Sequence, residues 1–185
     1  MLGLDLDGRA FMAVYGGADG TWGPAMVAVT VFGGGWSALA LAPMIWHERT
    51  RRFAAALALT LAFQAVIVWS LKRVVGRVRP WIALGLPQPF GAPHDPSFPS
   101  GHAAGSFCAA VFLALALPAI RPMSRWVRGL VVALAGTLAA LVAISRVYLG
   151  AHFPSDVVVG AALGALIGAI GAALYAVHSG RRPPS

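Results

Sequence analysis

Hydrophobic and polar positions along this chain separate into long apolar runs divided by short polar ones. A hydrocarbon core about 30 Å thick takes about 20 residues of helix to cross. Five runs reach that length, at about 24–46, 53–71, 102–120, 126–145 and 157–177. They predict an all-α fold: a polytopic membrane helix bundle with five transmembrane helices, filling residues 1–185 as one membrane-embedded domain. Ahead of the first run, Leu2, Leu4, Leu6, Phe11, Met12 and Val14 interleave with Asp5, Asp7 and Arg9. That pattern over 1–23 suits an amphipathic interfacial segment lying flat better than a sixth span. Residues 178–185 read as a flexible cytoplasmic tail.

Composition agrees with the pattern. Of 185 residues, 58% are hydrophobic and 11% charged, whereas soluble domains carry about a quarter charged. The net charge of +8 would point to nucleic acid in a soluble protein. Here the basic residues fall between apolar runs, and they set orientation. Arg49, Arg51, Arg52, Arg121, Arg125, Arg128, Arg181 and Arg182 stand against Glu48 alone on one side, which is therefore expected to be cytoplasmic. The N-terminus and the loop 72–100 then face the periplasm or exterior of a bacterial cell. Trp46 and Trp126 are expected at the inner interface, and Trp22, Trp69, Trp81 and Tyr148 at the outer one. Gly160, Gly164 and Gly168 recur every fourth residue, a stripe for close helix packing in preference to a dimer face. Cys108 is the only cysteine, so an internal disulfide and a cysteine zinc site are excluded, and its apolar surroundings assign it to packing. No cleavable signal peptide is expected, because Asp5, Asp7, Arg9 and Asp19 interrupt the first twenty residues.

The remaining polar residues gather in three clusters, and the topology places all three on one face. The first is Lys72, Arg73, Arg77 and Arg79 before Pro80. Were the helix to continue past Leu71, Lys72 and Arg79 would share a face and point into one pocket while Arg73 and Arg77 fan elsewhere. Two cations so held grip an anion, or alternatively snorkel to lipid phosphates. The second cluster is Pro99, Ser100, Gly101 and His102. A serine N-cap, a glycine and free N–H groups at a helix start make an anion site beside the histidine. The third is Ser145, Arg146, His152 and Asp156. Arg146 offers a planar fork for phosphate oxygens, and Pro154 opens a helix that sets Asp156 one turn beyond His152. A carboxylate there orients one ring nitrogen and leaves the other lone pair aimed outward. Three cations, a helix N-terminus, two histidines and a carboxylate suit phosphoryl transfer. The same cations oppose a divalent ion, so no metal is expected.

The spacing Lys72, six residues, Arg79-Pro80, then Pro99-Ser100-Gly101-His102, then Ser145-Arg146, five residues, His152, three residues, Asp156 resembles the three-part signature of the type 2 phosphatidic acid phosphatase superfamily. Five apolar runs place the resemblance in its integral-membrane lipid phosphatase branch, whose members commonly have six spans. The resemblance implies that His152 is the nucleophile forming a phosphohistidine and that Asp156 supports it. It implies that His102 protonates the departing lipid oxygen and then activates water. Lys72, Arg79, Arg146, Ser100 and the Gly101 N–H would hold the phosphate, with no cofactor.

The implied partner is a lipid phosphate or diphosphate presented at the outer interface: undecaprenyl diphosphate first, then phosphatidylglycerol phosphate, phosphatidic acid or the phosphates of lipid A. The loop Trp81 to Phe98, rich in proline, forms a lid over the pocket or a stiff linker. Two other readings compete. A non-catalytic anionic-lipid binder or transporter would need the cations and not two histidines, and a vanadate-dependent peroxidase would carry a soluble domain. The sequence leaves the oligomeric state open.

Overall fold

The structure is a computed structural model, and it describes residues 5–34, 42–89, 94–120 and 123–179. The described residues are helical, with no strand among them: α1 (Leu6–Val14), α2 (Gly23–Phe32), α3 (Ala42–Trp46), α4 (Glu48–Val75), α5 (Pro80–Ala83), α6 (Gly101–Ile120), α7 (Arg125–Tyr148) and α8 (Pro154–Ser179). Four described stretches are long and apolar enough to cross a membrane: Thr50–Ala83, Gly101–Pro118, Arg125–Tyr148 and Pro154–Ser179. These match the second to fifth expected spans, the third ending at Pro118 and not at 120. The first expected span is divided between α2 and the short α3, with residues 35–41 outside the described residues, so among those residues four candidate spans are found and not five. The tail 180–185, with Arg181 and Arg182, also lies outside them, as does Arg121.

Local chemistry fixes the ends of these helices. Asp5 caps α1 by accepting the Gly8 N–H at 2.7 Å, and Ser124 caps α7 through the Val127 N–H at 3.3 Å. Glu48 stands in the first turn of α4 and Lys72 and Arg73 in its last, both matched to the helix dipole. After α7, Gly150 takes φ +81°, a left-handed conformation that reverses the chain towards α8. Pro154 opens α8, where its missing N–H costs nothing.

The glycine stripe sets the closest packing in the bundle. A Cβ on Gly160, Gly164 or Gly168 would lie 2.5, 2.0 or 2.4 Å from the carbonyl oxygens of Ser100, Ala104 and Cys108 respectively. α8 therefore lies backbone to backbone against α6, as the stripe predicted. At one end of this pair, Phe53, Phe112 and Tyr175 form an aromatic cluster, with Phe53 and Phe112 ring centres 5.4 Å apart. At the other, Phe11 from α1 packs with Ala103, Val147, Phe153 and Val157. The outer faces carry exposed Leu59, Phe63 and Val66 on α4, Leu130, Leu134 and Leu138 on α7, and Leu166, Ile170 and Leu174 on α8. Such a belt belongs in hydrocarbon, where helices satisfy their own backbones.

α1 differs from a helix lying free on lipid. Phe11 is fully buried against Phe153, their rings edge to face at 5.6 Å, while Leu6 points outward. The chain after α1 is tied down too, because the Gly16 and Gly17 N–H groups both donate to the Tyr148 carbonyl and the Trp22 N–H to the Tyr148 hydroxyl. Tyr148 thus anchors protein to protein. Trp22, Trp46, Trp69 and Trp126 keep the exposure that an interfacial anchor needs.

Chain direction brings the C-terminal ends of α4 and α7 beside the N-terminal ends of α6 and α8. All three polar clusters sit at that end, under α1. The opposite end carries Arg51, Arg52, Arg125, Arg128 and His178. An open crevice of about 560 Å³ lies there between α4 and α8, lined by Leu59, Thr60, Leu174 and Tyr175 with Arg52 and His178 at its margin. It is apolar and remote from the histidine–carboxylate pair.

Candidate active site

The first cluster is assembled by a break in α4. The helix stops at Val75, Gly76 adopts φ +62°, and Arg79 is extended at φ −72°, ψ 152° as the residue capping α5. Lys72 and Arg79 therefore do not share a helix face, and Pro80 begins a short helix instead of ending one. They still converge, on Asp95. Lys72 Nζ is 2.9 Å from one Asp95 oxygen, Arg79 Nη2 is 2.7 Å from the other, and Arg79 Nε donates to the Asp95 carbonyl at 2.8 Å. Lys72 also donates to the Pro96 carbonyl. Despite the upward push of burial, the hydrogen bond and charge of Lys72, with the charge of Arg79, hold the Asp95 carboxyl below the usual range.

His152 follows from the third cluster. Its ring is 2% exposed, and Arg79 Nη1, which also donates to the Ala151 carbonyl, approaches Nε2 at 3.3 Å. A guanidinium only donates, so that contact assigns Nε2 as the bare nitrogen and Nδ1 as the protonated one. Nδ1 faces Ser97 Oγ at 3.4 Å and Asp156 Oδ2 at 3.6 Å, the latter longer than a hydrogen bond. Burial, joined by the charges of Arg79, Arg146 and Lys72, pushes the ring down to about 3. His152 is therefore neutral at physiological pH, with an unprotonated Nε2 facing Arg79.

Asp156 is fully buried and saturated with donors. Ser97 donates to Oδ2 at 2.5 Å and the Phe153 N–H to the same oxygen at 3.0 Å, while Arg77 Nη1 takes Oδ1 at 2.7 Å. The Asp156 carbonyl also accepts the Ser100 N–H at 2.9 Å, which ties the start of α6 to the first turn of α8. Ser100 is buried and faces the Ala103 N–H at 3.5 Å, the capping position expected of it. Gly101 opens α6 directly beyond, with His102 next.

Arg146 is 6% exposed, donates to Thr30 at 2.7 Å, and has a buried Nε–H without a partner among the described residues. His102 is partly buried, and a Cβ on Gly33 would come within 3.3 Å of its ring. Both histidines lie within electrostatic reach of the same three cations, Lys72, Arg79 and Arg146. Every expected site residue is thus at one end of the bundle. Ser145 from the third cluster stands apart, its hydroxyl donating to the Val142 carbonyl at 2.7 Å.

Several participants were not foreseen. Arg73 does fan outward, stacking its guanidinium 3.6 Å from the centre of the Trp69 ring, but Arg77 turns inward to Asp156. Ser97, Asp95, Asp7, Ser155 and Thr30 likewise carry no motif spacing that marks them. Only their hydroxyl and carboxylate chemistry near a cluster of cations could have raised them.

What the fold and site define is a polytopic helical membrane protein with an oriented histidine, a buried carboxylate and clustered cations where four helix ends meet. The chain belongs to the PAP2 superfamily, whose family model matches residues 53–180. It is 37% identical over 142 residues to a decaprenylphosphoryl-5-phosphoribose phosphatase of Mycobacterium tuberculosis, covering 74% of this chain and 69% of that one. It is 33% identical over 127 residues to an undecaprenyl-diphosphatase of Sulfolobus acidocaldarius, covering 67% and 56%. The matched stretches amount to 45–69% of the lengths of the curated relatives. The crystal structure of a transmembrane PAP2-type phosphatidylglycerolphosphate phosphatase from Bacillus subtilis superposes with a TM-score of 0.77 at 28% identity, covering 96% of this chain and 86% of that one.

Proposed function

We propose that this protein is a lipid phosphatase that removes phosphate from a membrane-anchored phosphomonoester or diphosphate through a phosphohistidine. The observation that carries this reading is the orientation of His152. Its unprotonated Nε2 faces the cations, and its Nδ1 side faces Ser97, whose hydroxyl is bonded to Asp156. In the first step Nε2 attacks phosphorus, the N–P bond forms, and the bond to the lipid oxygen breaks. His102, entering this step as the imidazolium, gives that oxygen a proton and is left neutral. In the second step His102 takes a proton from water, the water oxygen attacks phosphorus, and the N–P bond breaks, returning its electron pair to Nε2 and releasing inorganic phosphate. Lys72, Arg79 and Arg146, with the Gly101 N–H and Ser100 at the helix start, balance the charge on the transferring group. The unpartnered Arg146 Nε–H is a donor that a phosphate oxygen would complete.

The substrate in this proposal is undecaprenyl diphosphate, and the site faces the periplasm or exterior. Arginines at the opposite end support the orientation, and relatives named for polyprenyl-linked phosphates support the lipid. The test is phosphate release by purified protein in detergent with a chelator present, from undecaprenyl diphosphate, decaprenylphosphoryl-5-phosphoribose, phosphatidylglycerol phosphate, phosphatidic acid and lipid A. Release without added metal is expected, fastest from the polyprenyl diphosphate. Silence on the whole panel would sink the reading.

Asp95 bears on how such a substrate enters. Its carboxylate sits on two of the cations for which a phosphate would compete, and its side chain is 44% exposed. Asp95→Asn is expected to lower KM several-fold and to strengthen inhibition by inorganic phosphate, with kcat little changed. Steady-state kinetics check this, and a higher KM would show that Asp95 preorganises the cations instead.

A further inference from the structure

We propose that Arg77 and Asp7 are positioning residues for the nucleophile, forming with Asp156 a carboxylate–guanidinium–carboxylate bridge through which α1 holds the active site. The inference rests on the proposed function for its kinetic arm alone. Arg77 spans the gap with both terminal nitrogens. Nη1 donates to Asp156 Oδ1 and to Ser155 Oγ, each at 2.7 Å, and Nη2 donates to Asp7 Oδ2 at 2.7 Å. Its guanidinium carbon lies 4.3 Å from the centre of the Phe153 ring, the ring on which Phe11 of α1 packs. Asp7 also accepts the Ser155 N–H at 3.0 Å and the Ser155 hydroxyl. That N–H is one of the four that a helix start leaves without an internal partner, so α1 caps α8 from elsewhere in the chain. Despite the upward push of burial, hydrogen bonds from Ser155 and Arg77 keep the Asp7 carboxyl below its ordinary range, so it stays charged.

Charge balance explains why three members are present. A fully buried carboxylate needs a compensating charge, and His152, being neutral, cannot supply it. Arg77 can, yet a full ion pair would leave Asp156 with nothing for the positive charge that develops on the His152 ring during phosphoryl transfer. Asp7 takes the second nitrogen of Arg77, and the trio retains one net negative charge. Among the described residues the Arg77 side chain makes its hydrogen bonds and ion pairs with Asp7, Ser155 and Asp156 and none with His152, Lys72 or Arg79. Its effect therefore passes through Asp156.

Steady-state kinetics and hydrogen exchange together test the bridge. Arg77→Ala is expected to lower kcat by about a hundredfold with KM within about threefold of wild type, because a partner of a buried charge is lost and a phosphate ligand is not. Arg77→Lys should recover only part of this, since an ammonium cannot span two carboxylates as a fork does. Asp7→Asn, the milder variant, should cost about tenfold alone and nothing further in the Arg77→Ala background. Arg73→Ala, on the neighbouring turn, should match wild type. In both Arg77→Ala and Asp7→Asn, backbone amides of residues 152–157 should exchange faster, a readout that needs no turnover. A raised KM with kcat intact would make Arg77 a phosphate ligand and overturn the inference, as would unchanged exchange at 152–157. Wild-type inactivity on every lipid would instead overturn the proposed function, and the exchange measurement would still decide the bridge.

Discussion

His152→Ala is expected to reduce phosphate release by about ten-thousandfold or more, the scale seen when a covalent nucleophile is removed from a site whose other parts remain. The argument is one of access and protonation. Nε2 of His152 is unprotonated and faces the cation side, and the ring is neutral because burial pushes it down to about 3. With the imidazole gone, water would have to attack phosphorus directly, unactivated by any group in that place. His102→Ala should cost less, about a hundredfold to ten-thousandfold, as for loss of a general acid and base. The two variants separate in a rapid-quench experiment with a radiolabelled phosphate donor. His152→Ala should trap no acid-labile phosphoenzyme, whereas His102→Ala should accumulate it, because hydrolysis of the intermediate is slowed. Label on the His152→Ala protein, or turnover close to wild type, would place the nucleophile elsewhere.

How much of this was legible in the sequence depends on what each signal measures. Apolar run length reports the cost of burying polar backbone in lipid, and it located the four candidate spans among the described residues to within a few residues. The gathering of the clusters was legible because Lys72, Arg79, Ser100, Gly101, His102, Arg146, His152 and Asp156 sit at or beside helix ends that the alternation of spans must bring to one side. The path between them was not. Continuing α4 past Leu71 put Lys72 and Arg79 on one face by helical spacing, but Gly76 ends the helix at Val75, and a turn does the work instead. The same break swings Arg77 inward, where helical projection had sent it out. α1 was legible as amphipathic, yet an apolar face does not say what covers it. Phe11 finds Phe153 instead of lipid because residues 15–22 are fastened to Tyr148. Ser97 and Asp95 lie in irregular chain, where no periodicity reports position.

Gly164→Leu is expected to abolish the folded protein, and Gly164→Ala to destabilise it by about 3 kcal/mol or more, the upper range for an overpacked interior. A Cβ at Gly164 would stand 2.0 Å from the Ala104 carbonyl oxygen, 2.7 Å from its carbon and 2.8 Å from its Cα. All three atoms are backbone, so no rotamer change can make room, and α6 must move as a body. It is not free to do so, because the Ser100 N–H is bonded to the Asp156 carbonyl at 2.9 Å and the Gly160 and Gly168 positions leave a Cβ only 2.5 and 2.4 Å from the Ser100 and Cys108 carbonyl oxygens on either side. Gly136→Ala is the matched control. That glycine lies inside α7 with nothing within 4 Å of the added carbon, so helix propensity predicts a gain of about 1 kcal/mol. Thermal unfolding and monodispersity in detergent measure both, and a Gly164→Ala protein that melts with wild type would refute the packing argument. His102 stands in the first turn of α6 and His152 two residues ahead of α8, so a tilt of α6 would move His102 relative to His152. Any Gly164→Ala protein that does fold should therefore lose kcat beyond what its reduced stability explains.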